Sequence, residues 1–180
     1  MAFYIIAAML YPYYFNPSSL FFCDLMESKV GNQEHYNQGL PFAILALLSI
    51  SVVMTVFFIW FSNHSGWSKS KKLFTSISGG ISAFLTAFIF TKYHDEFILA
   101  ASVIGFFPVT FVALDILKDS SKQAPVLGLI SLFLLGYYNL TFYLNLFEFS
   151  WPILQKLCIS LSLIWINIVS FNKQKPRRCE

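Results

Sequence analysis

Apolar residues in this chain fall in blocks of roughly 20, the length that crosses the hydrocarbon of a bilayer, and short polar intervals separate them. Read in order, the blocks predict six helices. They run from Ala2 to about Phe15, Pro41 to Phe61, Leu73 to Lys92, Phe97 to Leu117, Pro125 to Leu146 and Trp151 to Phe171, followed by a basic tail over 172–180. The pattern predicts an all-α fold. It is one integral membrane domain over 1–180, a bundle of six transmembrane helices with a long first extracytoplasmic loop.

The first helix is short for a span, which usually needs about 17–25 residues, and a misplaced start would leave just such a helix. It lacks a basic leader and a small-residue cleavage site, so it reads as a retained helix. Tyr11-Pro12-Tyr13-Tyr14 ends it with the aromatic cluster expected at headgroup level. The longest polar interval follows, Asn16 to Pro41. Its middle, Leu20 to Met26, is apolar enough for a short interfacial helix capped by Ser18 or Ser19, and Gly31-Asn32 marks a turn.

Pro41 suits a first helical turn, where its missing N–H leaves nothing unpaired. Helix three carries small residues at helical spacing, Ser76, Gly80, Ala83 and Ala87, beside Thr75, Gly79, Ser82 and Thr86. Such stripes let helices approach closely in lipid, here within the chain or in a homo-oligomer. The interval Lys92-Tyr93-His94-Asp95-Glu96 is tight enough to make helices three and four an antiparallel hairpin. Pro108 predicts a kink in helix four. Helix five turns polar in its second half, with Asn139 and Tyr143 on one face, and helix six holds Lys156.

Composition agrees with the pattern: 57% of residues are hydrophobic and 12% charged, against about 25% charged in soluble domains. Cys23, Cys158 and Cys179 show no paired spacing, which argues against a disulfide and excludes a cysteine-rich metal site. The placement of charge decides orientation. The interval before helix three holds three Lys and the tail four Lys and Arg, while the polar intervals on the other side hold one, one and none. Cytoplasmic loops carry the Lys/Arg excess, so both termini are expected in the cytoplasm, with the long loop outside. The basic residues suit anionic headgroups, and no soluble basic domain exists to bind nucleic acid.

That topology gathers Asp24, His35, His94 and Asp95 on the outer face. Lys156 lies roughly 7 Å inside the outer end of helix six, where it snorkels or pairs with a carboxylate. Asn139 and Tyr143 complete a candidate ligand pocket with these five. His35, His94, Asp24 and Asp95 have the donor atoms for a divalent metal, although no pair shows strong motif spacing. Cys23 with a histidine and an Asp is a candidate nucleophile set. The plainer reading is structural: Asp24 fixes the loop, Asp95 and Glu96 favour a helix start, and Lys156 snorkels.

Tyr11-Pro12, Cys23-Asp24-Leu25, Asn37-Gln38-Gly39 and His94-Asp95, together with six helices and a long first outer loop, resemble the uncharacterised bacterial membrane proteins grouped as domain of unknown function 998. The resemblance covers nearly the whole chain, with Tyr13-Tyr14 departing where glycine is expected. It implies the six-helix bundle and no activity. Three functional readings remain. One is a non-enzymatic protein binding membrane lipids or a protein partner through the outer pocket, without a cofactor. A second is a lipid-modifying hydrolase using the outer His/Asp site, with or without a metal. The third is a small transporter or channel subunit, which needs an oligomer of the kind the helix-three stripe could mediate; the absence of charges deep in the spans argues only against a proton-coupled pump.

Overall fold

The computed structural model describes residues 1–30, 35–117 and 123–174, the last two of these by backbone alone. The expected Gly31-Asn32 turn, the polar interval from Lys118 to Lys122 and the tail beyond Gln174 lie outside the described residues. The chain is all-α apart from one short ladder, with helices α1 (Ala2–Met9), α2 (Leu40–His64), α3 (Lys69–Thr86), α4 (His94–Ile116), α5 (Gln123–Tyr143) and α6 (Trp151–Gln174). Four of the six, α2, α4, α5 and α6, are long and apolar enough to cross a membrane. Between α1 and α2, a 3-10 turn over Cys23–Met26 precedes two antiparallel strands, β1 (Lys29–Val30) and β2 (His35–Tyr36), paired Lys29 to Tyr36 and Val30 to His35.

Three helices stop well short of the sequence expectation, whereas α2 and α6 run past theirs to His64 and Gln174, and α3 and α4 begin earlier, at Lys69 and His94. Helix α1 stops at Met9 and not near Phe15, because Pro12 has no N–H to donate and disfavours helical backbone at Tyr11. Helix α3 stops at Thr86 and not at Lys92. Beyond it the chain tightens into i to i−3 bonds, Phe88 N–H to the Leu85 carbonyl at 3.1 Å and Thr91 N–H to the Phe88 carbonyl at 3.0 Å. The aromatic and β-branched run Phe88-Ile89-Phe90-Thr91 loses side-chain freedom in a regular helix. The α3–α4 connection is therefore longer than expected, and His94, Asp95 and Glu96 form the first turn of α4. Helix α5 ends at Tyr143 and not at Leu146. Asn145 takes the left-handed conformation (φ 53°), and the Leu146 N–H returns to the Thr141 carbonyl at 2.9 Å, the bonding of a Schellman cap.

The helices α1 to α4 pack as successive neighbours, and α5 and α6 form a second hairpin that meets α2 and α4 only thinly. Close approach explains the first group. A Cβ on Gly39 would collide with the Ala7 carbonyl, and one on Gly79 with the Phe58 ring. Ser82 donates to the Ala101 carbonyl of α4 at 2.7 Å. Part of the small-residue stripe of α3 is thus spent inside the chain, and that helix turns Leu73, Phe74, Ile77, Ile81 and Phe84 outward. Exposed apolar side chains recur on every long helix, with Val52 62% and Phe133 70% accessible. A water-soluble protein rarely leaves apolar surface so contiguous; facing lipid, it needs no cover.

The two ends of the bundle differ. The lysine end holds His64, Lys69, Lys71 and Lys72, with Trp67 donating to Asp115 at 2.7 Å and the Lys71 ammonium 4.2 Å above the Trp67 ring. Beneath it Phe57, Phe58, Phe61, Val112, Ile116 and Trp165 form a buried core. The loop end carries the chain between α1 and α2, the α3–α4 connection and the turn before α6, over a smaller core of Tyr4, Ala7, Leu25, Met26 and Leu47.

Candidate functional site

The loop end is held by three side chains. Asn37 is fully buried. Its amide donates to the Leu25 carbonyl at 2.9 Å and the Glu27 carbonyl at 3.0 Å, and its oxygen accepts from Gly39 N–H at 2.9 Å. One amide thus ties the 3-10 turn to the start of α2, with all its partners satisfied. From α6, Gln155 accepts from Phe22 N–H at 2.9 Å and donates to the Cys23 sulfur at 3.4 Å. Lys156 donates to the Leu20 carbonyl and, at 3.0 Å, to the Pro152 carbonyl, with its ammonium 5.3 Å from the Phe22 ring centre. The loop is clamped onto α2 at one side and α6 at the other.

Beneath this strap lie two cavities. The first, of about 350 Å³, is a mouth lined by Asp24, Glu27, Thr91 and His94 together with Phe21, Phe90 and Phe142. The second, of about 260 Å³, lies between α2, α4, α5 and α6, where the two helix groups meet thinly. Its walls are mainly apolar, with Met54, Phe57, Val109, Leu135, Ile159 and Trp165 among them. Both are bounded by Cys23, Met26, Ile89, Ile98, Tyr138 and Gln155, so only those side chains part the mouth from the chamber. Phe57, Trp165 and Ile166 of the chamber wall also belong to the core at the lysine end.

Of the residues expected to form a pocket, Asp24 and His94 share the mouth. Asp95 stands at its rim, its carboxylate 2.9 Å from His94 Nδ1. The other ring nitrogen, Nε2, is buried with no hydrogen-bond partner among the described residues. Lys156 belongs instead to a separate groove of about 660 Å³ between α1 and α6, lined by Tyr4, Tyr11, Phe15 and Phe22 among others. His35 lies exposed in β2, edge-on to Tyr13 at 5.7 Å, and lines none of these spaces. Asn139 bonds back to the Leu135 carbonyl at 2.8 Å, and Tyr143 is 42% exposed at the end of α5; neither lines the mouth. Among the described residues no three His, Cys, Asp or Glu side chains converge to hold a metal ion.

Burial raises the Asp24 carboxyl above the ordinary carboxylate range, while the Phe21 N–H at 2.6 Å and the charges of Lys156 and His94 oppose the shift. Burial also pushes the Cys23 thiol up to about 11, against the hydrogen bond from Gln155. A thiol of that pKa carries almost no thiolate at neutral pH, so Cys23 is a poor nucleophile. Sequence reasoning missed Gln155 and Ser131. Gln155 had a signal, an amide beside Lys156 in an apolar run. Ser131 had none: it is 4% exposed on the chamber wall, its hydroxyl buried and unpartnered.

No family model matches the sequence, and neither a curated protein nor a solved structure matches it.

Proposed function

We propose that this chain is an integral membrane protein that binds a membrane lipid in the mouth and chamber of its loop end. The observation that carries the reading is the pair of adjoining cavities, one at the loop end carrying Asp24, Glu27 and His94 among apolar side chains, the other within the bundle with mainly apolar walls, the profile of an amphiphile. In this reading all six helices lie in the bilayer. Helix α3 is packed between two helices of spanning length, α2 and α4, and crosses with them. Helix α1 enters only part way, since eight residues rise about 12 Å. The lysine end faces the cytoplasm and the loop end the outside of a bacterial cytoplasmic membrane, as the Lys/Arg excess favours. Membership of the domain of unknown function 998 group belongs to the same proposal. It is supported by Cys23-Asp24-Leu25, Asn37-Gln38-Gly39 and His94-Asp95 meeting at one end of the bundle.

A second reading, hydrolysis of the bound lipid, is favoured by the unpartnered His94 Nε2 backed by Asp95, the posture of a general base. A third, a transporter, fits less well, because the buried aromatic core closes the chamber towards the lysine end. Native mass spectrometry of the full chain released from lipid nanodiscs tests the binding reading. The expected result is one retained lipid per chain, lost when Ile98→Trp blocks the passage between mouth and chamber. Retention unchanged by Ile98→Trp would overturn the site, and absence of any retained lipid would overturn the function. A retained lipid that is cleaved, with cleavage but not binding lost in His94→Ala, would decide for the hydrolase.

A further inference from the structure

The lipid reading leaves the ligand's chemistry open, and the mouth narrows it. Asp24 and Glu27 put two carboxylates on the mouth, beside Cys23, Tyr138 and the buried, unpartnered Nε2 of His94. Among the described residues no Lys or Arg lines it. Lys156, which reaches the loop from α6, is turned into the neighbouring groove, and its ammonium is held by the Leu20 and Pro152 carbonyls. Asp24 is half-buried with one oxygen already taken by Phe21 N–H, which leaves its other oxygen to a ligand. Ionising a half-buried carboxylate is unfavourable unless a positive charge or donor meets it. A phosphate or sulfate placed there would meet two carboxylates, with the Lys156 ammonium already bonded elsewhere.

The chamber adds a second, independent observation. Its wall includes a serine hydroxyl, Ser131, that is buried and bonded to nothing. Buried polar groups are nearly always paired; Ser62 and Thr75 are unpaired too but line neither the mouth, the chamber nor the groove, whereas Ser131 borders the chamber, where a ligand can meet its hydroxyl. At about 260 Å³ the chamber falls just below the range of about 300–1,000 Å³ for drug-sized ligands. That is room for one flexible chain and not two. Tyr138 stands between mouth and chamber, and Ser131 lies two turns of α5 deeper, about 10 Å away along the helix.

We propose, resting on the lipid-binding reading above, that the site takes a single-chain amphiphile with a cationic ammonium head. The head sits among Asp24, Glu27 and His94 Nε2, and the chain runs past Tyr138 and Gln155 towards Ser131.

The test uses the full chain in phosphatidylcholine nanodiscs and two photoreactive probes. Both have a dodecyl chain with a diazirine at its end; one carries a primary ammonium head and the other a sulfate. Labelling of the chamber segments 131–138 and 155–166 is mapped by mass spectrometry and divided by labelling of the lipid-facing segment 73–84, which corrects for partition into the bilayer. The ammonium probe is expected to label the chamber at least about tenfold more than the sulfate, the factor that about 1.4 kcal/mol of head-group preference gives. Asp24→Asn with Glu27→Gln should remove that preference, lowering ammonium labelling and raising sulfate labelling as the repelling charges go. Ser131→Phe, which fills the chamber, should remove chamber labelling by both probes, and Ser162→Phe on the facing wall provides the same test should the first variant fail to fold. Equal chamber labelling by the two heads would overturn the charge inference and leave the lipid reading standing. No chamber labelling by either would overturn both.

Discussion

Phe57, Phe58, Phe61, Val112 and Trp165 fill the space between α2, α4 and α6 at the lysine end, whereas at the loop end the same helices part around two cavities. The difference follows from what each end has to work with. At the lysine end α4 and α2 close on rings, and Trp165 locks α6 to α5 by donating to the Ala124 carbonyl at 3.0 Å. At the loop end the strap packs Leu25 and Met26 on α1 and α2 and reaches α6 by hydrogen bonds, and the space beneath it stays open. Lipid offers helices little hydrophobic drive to collapse a void, since its tails are as apolar as leucine. A cavity in such a bundle is therefore cheaper to keep than in a water-soluble core, and a polar clamp suffices to shape it.

The sharpest way to break this comparison is to truncate one apolar residue at each end. Phe61 has no accessible surface and sits in the dense core, while Ile98 borders both cavities. A buried Phe→Ala change costs about 3–5 kcal/mol in a water-soluble core. The packing part of that survives in lipid, so Phe61→Ala should cost about 2–3 kcal/mol in reversible unfolding from mixed micelles. Ile98→Ala only enlarges a space already there and should cost about 1 kcal/mol or less. Equal losses would mean that the loop end is as tightly packed as the lysine end.

The next effect concerns the strap. Asn37→Ala strands the Leu25 and Glu27 carbonyls and the Gly39 N–H at once. Each unsatisfied buried group costs about 1–3 kcal/mol, but water reaches part of an opened loop, so we expect a loss of about 2 kcal/mol. Hydrogen exchange should locate it in residues 25–30 and 35–39, with α2 beyond Ala46 and the core around Phe61 unchanged. A loss spread evenly over both ends would show one cooperative unit in place of a strap on a stable bundle.

How much of this was readable beforehand depended on the length scale of the signal. Helix existence was readable, because an apolar block of spanning length in a charge-poor chain has few other uses. Helix ends were less so: Pro12 stopped α1 early, and the Asn145 cap stopped α5, where composition alone ran on to Leu146. The pocket was half readable. Topology placed Asp24, His94 and Lys156 at one end, yet Asp24 and His94 line the mouth while Lys156 faces the groove. Which way a long side chain turns is decided by the carbonyls and rings that meet it, and sequence spacing carries no trace of these. Asn37 belongs to a motif of the family resemblance, and only its bonds show it to be the clamp. Ser131 is one serine among many until its missing partner is seen.

Asp24 gives the smallest effect and the finest test of the contrast. Its carboxyl lies above the ordinary carboxylate range chiefly through burial, with Phe21 N–H, Lys156 and His94 only partly offsetting the rise. A group with a raised pKa in the folded state binds its proton more tightly folded than unfolded. Its stabilising contribution is therefore complete below the unfolded value, about 3.9, and is lost as the pH rises through the higher folded value. Asp24→Asn keeps an oxygen to accept from Phe21 N–H and removes the titration. The stability of the native chain minus that of Asp24→Asn should thus fall as the pH rises from about 4 and level off once Asp24 is ionised, leaving the variant the more stable at neutral pH. The opposite slope would mean that a positive charge already satisfies Asp24 within the chain. The mouth would then have no vacancy for a cationic head, and the loop end would be closed by electrostatics as the lysine end is by rings.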